Sequence, residues 1–238
     1  MSVRVALHHA TTYRYDRPVW LGPHLIRLRP APHVRAQVVD YALRIEPAAH
    51  RLNWQQDPMA NWQARCLLDG PTETFRILVD LTLDLLPVNP FDFFIEPGAE
   101  NWPFRYEPEL RRDLAPFLDV EPAGPRLEAA LAEIPRQPLP TVEFLIDLTR
   151  WVARRIGYIK RHEPGVLTPD ESLALARGSC RDSGWLLVVM LRRLGIAARF
   201  VSGYLIELAS DVVSADRAEL HAWAEAYVPG AGWIGLDP

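Results

Sequence analysis

The sequence predicts an α+β fold, with an antiparallel β-sandwich at the N-terminus and a C-terminal core in which one buried helix packs on antiparallel strands. Three observations support this prediction. Short β-type runs separated by turn residues recur at intervals of about ten residues through positions 3–86, as in all-β sandwiches. Helical patterns with capping residues start at Thr141. Three further β-type runs follow Gly195 and close the chain.

A proline-rich connection is predicted between these two regions. Eleven of the 22 prolines fall in residues 87–140, about twice the density of the whole chain. Because proline fixes φ and has no N–H, such a segment favours extended chain, with one short helix near residues 126–134. The predicted organisation is a sandwich over residues 1–86, the connection over residues 87–140 and the core over residues 141–238.

The composition limits the classes of function. The chain has 238 residues, 49% of them hydrophobic, which supports at least one sizeable core. A formal net charge of −4 and a pI near 6.0 provide no basic field, which argues against nucleic acid as a partner. No stretch approaches the roughly 18 apolar residues of a membrane span, and no signal-type run opens the chain. We therefore expect a cytoplasmic protein without membrane contact.

The two cysteines are expected to differ in role. Two cysteines do not make the disulfide framework of a small secreted domain. Cys66 lies in a β-type run and is expected to be an ordinary buried apolar residue. Cys180 stands instead at the start of a helical pattern.

Capping signals define three helices in the C-terminal core. Thr141 is a candidate N-cap of the first helix. Thr168 and Glu171 form a capping box for the second, which Gly178 is predicted to stop. The third helix is predicted to run from about Cys180 to Leu194, and its positions are apolar on nearly every side, so it should be buried.

Cys180 is a candidate nucleophile because of its place in that third helix. With Ser179 as N-cap, the cysteine lies in the first turn, where unpaired N–H groups and the helix dipole stabilise a thiolate. The same N–H groups suit a developing oxyanion. Taken alone, this stretch is better explained by a core cysteine that merely begins a helix, and the residues downstream shift the balance.

A nucleophilic cysteine needs a base, and the base needs a group that orients it. His221 opens a strand in which His221, Trp223, Glu225 and Tyr227 alternate with small residues, and the small-residue face suits close packing on the cysteine helix. Asp237 ends the next strand and is the candidate orienting group. Counting across the turn pairs Asp237 with about Ala224, roughly 10 Å along the strand from His221, so a bulge, a sharp twist or a position beyond the ladder must close this gap.

These residues also carry a family resemblance. The blocks GSCRDSGWLLVVMLRRLGIAARFVSGYL and HAWAEAYVPGAGWIGLDP resemble the core of the transglutaminase-like superfamily. TTYRYDRPV and HLIRLRP resemble the β-rich region that precedes this core in bacterial members. The resemblance implies a papain-like core with Cys180 as nucleophile, His221 as base and then acid, and Asp237 as the residue that orients His221.

The function that this resemblance implies is acyl transfer. A cysteine hydrolase or amidase would cleave peptide or side-chain amide bonds of a peptide or protein substrate through a thioester, with water as the default acceptor. One alternative is a transglutaminase that forms isopeptide bonds, and another is a non-catalytic binding module on the same scaffold. No cofactor or metal is expected, because there is no EF-hand-like pattern and the histidines lack ligand spacing; these histidines, predicted to be sandwich residues, are His8, His9, His24 and His33.

Several neighbours of the predicted site have weaker assignments. Tyr158 is a candidate second oxyanion donor or a structural aromatic residue. Arg181 and Asp182 are candidates for substrate contact, although the helix dipole alone accounts for an acidic residue there. Glu225 is expected to satisfy a nearby polar group, and Trp223 to shield the imidazole from water.

Two segments border the predicted site. Residues 207–219 form an acidic polar stretch, interpreted as a solvated connection or as a rim of the substrate groove. The chain ends at Pro238, directly after Asp237, whereas family members generally continue, so we expect an abbreviated or C-terminally truncated member.

Overall fold

The structure, a computed structural model, describes residues 2–209 and 215–238. The chain divides into two compact units, residues 1–89 and residues 90–238. Each unit has its own sheets and its own hydrophobic core.

The first unit consists of two three-stranded antiparallel sheets. One sheet has the order β1-β6-β3 and the other the order β2-β5-β4. The strands are β1 (Val3–Val19), β2 (His24–Ile26), β3 (Gln37–Glu46), β4 (His50–Gln56), β5 (Trp62–Leu68) and β6 (Thr72–Leu85).

The core of the first unit lies between these sheets. Ile45, Phe75 and Ile77 come from the first sheet and pack with Ile26 and Cys66 from the second. This arrangement confirms the predicted sandwich. Cys66 is 1% exposed, and burial raises the pKa of its thiol, so it is the buried apolar cysteine that was expected.

In its described residues, the second unit combines six α-helices with short and long strands. Its sheet of three longer strands has the antiparallel order β11-β12-β13. The elements are a 3₁₀ turn (Pro97–Ala99), β7 (Asn101–Trp102), α1 (Pro108–Asp113), α2 (Ala115–Leu118), α3 (Pro125–Ala132), β8 (Leu139–Pro140), α4 (Thr141–Arg155), β9 (Gly157–Tyr158), α5 (Pro169–Leu175), β10 (Arg177–Gly178), α6 (Cys180–Arg193), β11 (Ala198–Glu207), β12 (Arg217–Val228) and β13 (Gly232–Leu236).

Residues 90–140 belong to the second unit and are more than the predicted connection. Three short helices occupy this segment, and the expected helix near residues 126–134 is α3. The Trp102 ring stacks on Phe144 of α4 at 3.9 Å, and its Nε1 donates a hydrogen bond of 3.2 Å to the Leu194 carbonyl at the end of α6. The prolines at the first positions of α1 and α3 start helices there, because the first helical N–H needs no partner.

Tyr106, from the same segment, joins two strands of the sheet. Its hydroxyl accepts a hydrogen bond of 2.9 Å from the Ala197 N–H and donates one of 2.7 Å to the Tyr227 carbonyl. Burial raises the pKa of Tyr106 to about 12, although the bond from Ala197 acts in the opposite direction. The hydroxyl thus stays protonated and can hold the start of β11 against the end of β12.

The start of α4 and the end of α5 differ from their predictions. Thr141 is the first residue of α4 rather than its N-cap, and its hydroxyl donates a hydrogen bond of 2.6 Å to the Ala99 carbonyl. The capping box of Thr168 and Glu171 is present as predicted, but α5 ends at Leu175 with Ala176 as its C-cap in the left-handed conformation, so Gly178 is not the stop. Gly178 serves another purpose, since a Cβ there would lie 2.8 Å from the Asp182 Cβ.

Helix α6 is buried on the small-residue face of β12. Ala224 and Ala226 are fully buried in the same cluster as Leu187 and Met190 of the helix. A Cβ added to Gly184 would meet the backbone of Trp223 at 3.5 Å, so the helix and strand approach closely. The predicted packing of the cysteine helix on this face is confirmed.

The start of α6 is held by Asp182, which is fully buried. Its carboxylate accepts hydrogen bonds of 2.8 Å from the N–H and hydroxyl of Ser179 and 2.8 Å from the Leu167 N–H, and it forms a two-contact ion pair with Arg161, each N···O distance being 3.0 Å. Burial alone would raise the pKa of Asp182, but the bonds from Arg161, Leu167 and Ser179 lower it to about 2. This residue closes a capping box with Ser179 and ties the loop before α5 to the helix.

Replacing Tyr106 by Phe should destabilise the protein by about 1–3 kcal/mol, because the Ala197 N–H would remain buried without a partner. The midpoint of urea unfolding at pH 7 measures this change. The matched substitution Tyr13→Phe, on a ring that is about half exposed, should have little effect. Equal effects of the two substitutions would contradict the role assigned to the Tyr106 hydroxyl.

Asp182 should make stability depend on acid pH. Its folded-state pKa of about 2 lies below the value near 3.9 of an unfolded chain, so its contribution of about 2 kcal/mol is present above about pH 4 and is lost as the pH falls toward 2. The free energies of unfolding of wild type and Asp182→Asn in urea should therefore differ most near pH 7 and converge as the pH falls from about 4 toward 2. Asp147→Asn, on the exposed side of α4, is the control. A gap between wild type and Asp182→Asn that does not change with pH would contradict this prediction.

Candidate active site

Cys180 is the first residue of α6, as predicted, and it is partly exposed. Ser179 is the N-cap, and its carbonyl accepts the N–H groups of Asp182 and Ser183 at 3.0 and 3.1 Å. Within the described residues, the N–H groups of Cys180 and Arg181 have no hydrogen-bond acceptor. The thiol therefore stands beside two free donors at the positive end of a buried helix.

His221 and Asp237 are brought together by the end of the sheet. The His221 Nε2 lies 2.8 Å from the Asp237 Oδ2, and the two side chains are 18% and 55% exposed. Leu236, rather than Asp237 as the count predicted, pairs with Ala224 and is the last residue of β13. Asp237 therefore lies beyond the ladder, which is one of the three ways foreseen to close the gap along the strand. Because Nε2 faces the carboxylate, Nδ1 is the ring nitrogen left for proton transfer.

Cys180 and His221 lie toward the same end of the packed helix and strand. Gly184 contacts β12 at Trp223, and the Arg192 Nε donates to the Ala198 carbonyl, whose residue pairs with Ala226. Helix and strand thus run in the same direction. From Gly184, one helical turn back toward the start of α6 covers about 6 Å. From Trp223, two residues back toward the start of β12 cover about the same distance. These steps lead to Cys180 and His221.

Among the described residues, no hydrogen bond joins the Cys180 thiol to the His221 imidazole. Strand β13 has already ended at the level of His221, so β12 has no paired strand on that side and the ring points toward Asp237. Catalytic hydrogen bonds are often long before substrate binds. The assignment of Cys180 and His221 as nucleophile and base stays a prediction.

Trp223 packs beside the imidazole. The two rings lie 6.2 Å apart at an angle of 24°. The indole also extends over Gly203, the residue paired with His221, where an added Cβ would approach its Cη2 to 2.7 Å. Gly203 thus leaves the space that the indole occupies, and Trp223 covers one side of the His221 ring.

The other neighbours divide into structural residues and residues near the site. Glu225 pairs with Arg199, with an Nε···Oε2 distance of 2.7 Å, which agrees with the expected polar contact. Arg181 donates hydrogen bonds of 3.1 Å to the carbonyls of Arg161 and Glu163, so it fixes the loop in front of α6.

Tyr158 is 69% exposed and pairs with Gly178, two residues before Cys180. This position keeps it a candidate second oxyanion donor. Residues 210–214 of the predicted acidic stretch lie outside the described residues.

Sequence reasoning missed Arg161 as a part of the site. The signal for its partner was present, since Ser179 and Asp182 have the same spacing as the capping box recognised at Thr168 and Glu171. No local pattern pointed to Arg161, because its partner Asp182 lies 21 residues further along the chain, beyond α5 and β10.

No metal site and no membrane-spanning helix is found in the described part of the chain. Over residues 2–209 and 215–238, no three His, Cys, Asp or Glu side chains form a group that could hold a metal ion. His8 lies 2.6 Å from Asp80, and His24 donates to the Gly22 carbonyl at 2.8 Å, so both have local partners in the sandwich. No helix in the same ranges is long and apolar enough to cross a bilayer.

Comparison with known proteins matches both units of the chain. Residues 5–84 match the model of the bacterial transglutaminase-like N-terminal region, and residues 128–238 match that of the transglutaminase-like superfamily core. An uncharacterized protein of Mycobacterium leprae is 30% identical, with 99% of this chain and 82% of the relative aligned. An uncharacterized protein of Mycobacterium tuberculosis is 28% identical over 99% of this chain and 78% of its own.

A solved structure shares the fold. It is that of a protein from Cytophaga hutchinsonii described as a candidate cysteine protease, with a TM-score of 0.72 and 18% identity over 100% of this chain and 76% of its own. The two matching family models and the shared fold agree with the order of sequence blocks around Cys180, His221 and Asp237. The chain therefore belongs to the transglutaminase-like superfamily and carries the N-terminal region of its bacterial members.

Proposed function

We propose that this protein is a cysteine-nucleophile acyltransferase that hydrolyses peptide or side-chain amide bonds, with Cys180, His221 and Asp237 as its catalytic residues. The observation that carries the proposal is the 2.8 Å contact between His221 of β12 and Asp237, which directly follows the end of β13. A non-catalytic module has no need for an oriented imidazole near a cysteine at a helix N-terminus.

Acylation begins when the Cys180 thiol passes its proton to Nδ1 of His221. Asp237 accepts the hydrogen bond of Nε2–H, which fixes the ring orientation and stabilises its charged form. The thiolate attacks the carbonyl carbon of the amide. The C–N bond then breaks, and the departing amine takes the proton from Nδ1, so a thioester on Cys180 remains.

Deacylation reverses the proton path. Nδ1 of His221 takes a proton from water, and the hydroxide adds to the thioester carbonyl. The C–S bond breaks, the product leaves as a carboxylic acid, and the thiolate of Cys180 regains its proton. An amine in place of water would give a new amide by the same steps, which is the transglutaminase alternative.

The free N–H groups at the start of α6 supply the oxyanion site. The backbone N–H of Cys180 points out of the helix end, where a developing negative charge on the carbonyl oxygen would be stabilised. Tyr158 is the candidate for the second donor, because its backbone pairs with the segment directly before Cys180.

The proposed partner is a peptide or protein that carries the scissile amide. Water is the default acceptor because it is always present, so hydrolysis is favoured over transamidation. Both cysteines are free thiols, which is typical of a reducing compartment and supports a cytoplasmic location.

The reactivity of Cys180 should depend on His221. In a Cys66→Ala background, which removes the other thiol, we expect iodoacetamide to modify Cys180 well below pH 8, because the imidazole and the helix dipole stabilise the thiolate. The additional change His221→Ala should remove this low-pH reactivity. The rate of alkylation, followed by mass spectrometry from pH 4 to 10, measures the effect.

Two results would contradict the proposed nucleophile. One is titration of both proteins like a free thiol, near pH 8.5. The other is a Cys180 that does not react in the folded protein but reacts after urea unfolding. The change Trp185→Phe, also on α6, is a control for general disturbance of the helix and should leave the pH profile unchanged.

Asp237 should act on turnover rather than on substrate binding. With a library of peptidyl-aminocoumarins as probe substrates, Asp237→Ala should lower kcat about 10–100-fold with little change in KM, because His221 loses the group that orients it. Glu219 is an exposed carboxylate on β12, the strand of His221, and Glu219→Gln should leave kcat unchanged. Adding dansylcadaverine distinguishes the acceptors, since hydrolysis predicts little incorporation of the amine. A value of kcat unaffected by Asp237→Ala would exclude the triad.

A further inference from the structure

The first turn of α6 contains a negative charge close to the proposed thiolate. The Asp182 carboxylate accepts a hydrogen bond from the N–H of Ser179, the residue directly before Cys180. Asp182 is completely buried, so solvent ions screen its charge poorly. An unpaired carboxylate at this place would occupy the same positive helix end that a thiolate needs and would oppose the ionisation of Cys180.

Arg161 supplies the opposite charge. Its Nε and one terminal nitrogen each lie 3.0 Å from a different oxygen of Asp182, and the Arg161 side chain is only 13% exposed. The guanidinium is also held by the Gly165 carbonyl at 2.8 Å. The pair is therefore a fixed, nearly dry, charge-cancelling contact.

We propose that Arg161 is a positioning residue of the site. The Asp182 carboxylate holds the start of α6 in place, and Arg161 cancels the negative charge of this carboxylate, which would otherwise oppose the Cys180 thiolate. The inference rests on the proposed function, because it assigns Arg161 a role in keeping that nucleophile ionised. Arg161 itself does not touch substrate in this role. It acts on Cys180 through Asp182 and Ser179.

The other charged side chains near the proposed site do not add a second unpaired negative charge. His221 is paired with Asp237, and Arg181 bonds to two carbonyls and adds one positive charge to the same turn. The charged groups that act on the Arg161–Asp182 pair from neighbouring elements are Glu163 on the loop after β9 and Glu171 on α5, and both favour the charged form of Arg161.

We expect Asp182 to stay ionised at neutral pH when Arg161 is removed. Its oxygens still accept hydrogen bonds from the Leu167 N–H and from the N–H and hydroxyl of Ser179. Arg161→Met therefore leaves a buried anion, whereas Asp182→Asn leaves a cation. The two substitutions break the same contact but change the local charge in opposite directions, which separates an electrostatic role from a purely structural one.

The test is the pH at which Cys180 reaches half of its maximal rate of alkylation by iodoacetamide, in the Cys66→Ala background. Arg161→Met should raise this midpoint by about one pH unit and Asp182→Asn should lower it by a similar amount. The double variant should return to within a few tenths of a unit of the parent. Arg161→Lys, which keeps the charge but loses the second contact, should lower the unfolding midpoint and leave the alkylation midpoint unchanged.

Arg193→Met is the matched control, because Arg193 lies at the other end of α6, about 20 Å from Cys180, and its loss should not move the alkylation midpoint. Arg161→Gln, which keeps an amide donor, replaces Arg161→Met if circular dichroism shows that the latter is unfolded. Shifts in the same direction for the two single variants, or no shift, would overturn the inference. The alkylation midpoint of the Cys66→Ala parent tests the proposed function separately. A parent that titrates like a free thiol would contradict the proposed function, whereas the opposite shifts of Arg161→Met and Asp182→Asn test the role of Arg161.

Discussion

The buried ion pair of Arg161 and Asp182 is the contact on which the candidate site depends. One carboxylate joins the loop at Leu167, the N-cap at Ser179 and the first turn of α6, and one guanidinium neutralises it. Removing either partner would leave a buried charge without compensation, which is far more costly than losing a surface pair. The close approach also explains Gly178, where any larger residue would collide with Asp182. The position of Cys180 follows from these contacts.

Both ends of the cysteine helix are held by residues from outside the helix. At its start, Arg161 and Leu167 bind Asp182; at its end, the Trp102 indole binds the Leu194 carbonyl. The helix cannot slide along the sheet without losing these bonds. A nucleophile on a rigid, buried helix keeps its distance to the strand that carries His221, which is what covalent catalysis requires of its scaffold.

Two features of the sheet shape the site: the small residues on one face of β12, and the end of β13 before the level of His221. Buried alanines of β12 let α6 approach the backbone, and Gly203 makes room for the indole of Trp223 beside His221. Because β13 stops opposite Ala224, Asp237 is free of ladder bonds and turns its carboxylate to the imidazole. The orientation of the proposed base thus results from where a strand ends, and not from an additional element.

The sequence by itself determined the sandwich, the helix that begins at Cys180 and the alternating faces of β12, because capping and periodicity are local properties of the chain. It also determined the family, through ordered blocks around Cys180, His221 and Asp237. Only the tertiary structure decided that Asp237 reaches His221, that Arg161 neutralises Asp182, and that Trp102 makes residues 90–140 part of the second unit. These contacts join residues 16, 21 and 92 positions apart, and no local pattern specifies which distant groups meet once the chain is packed.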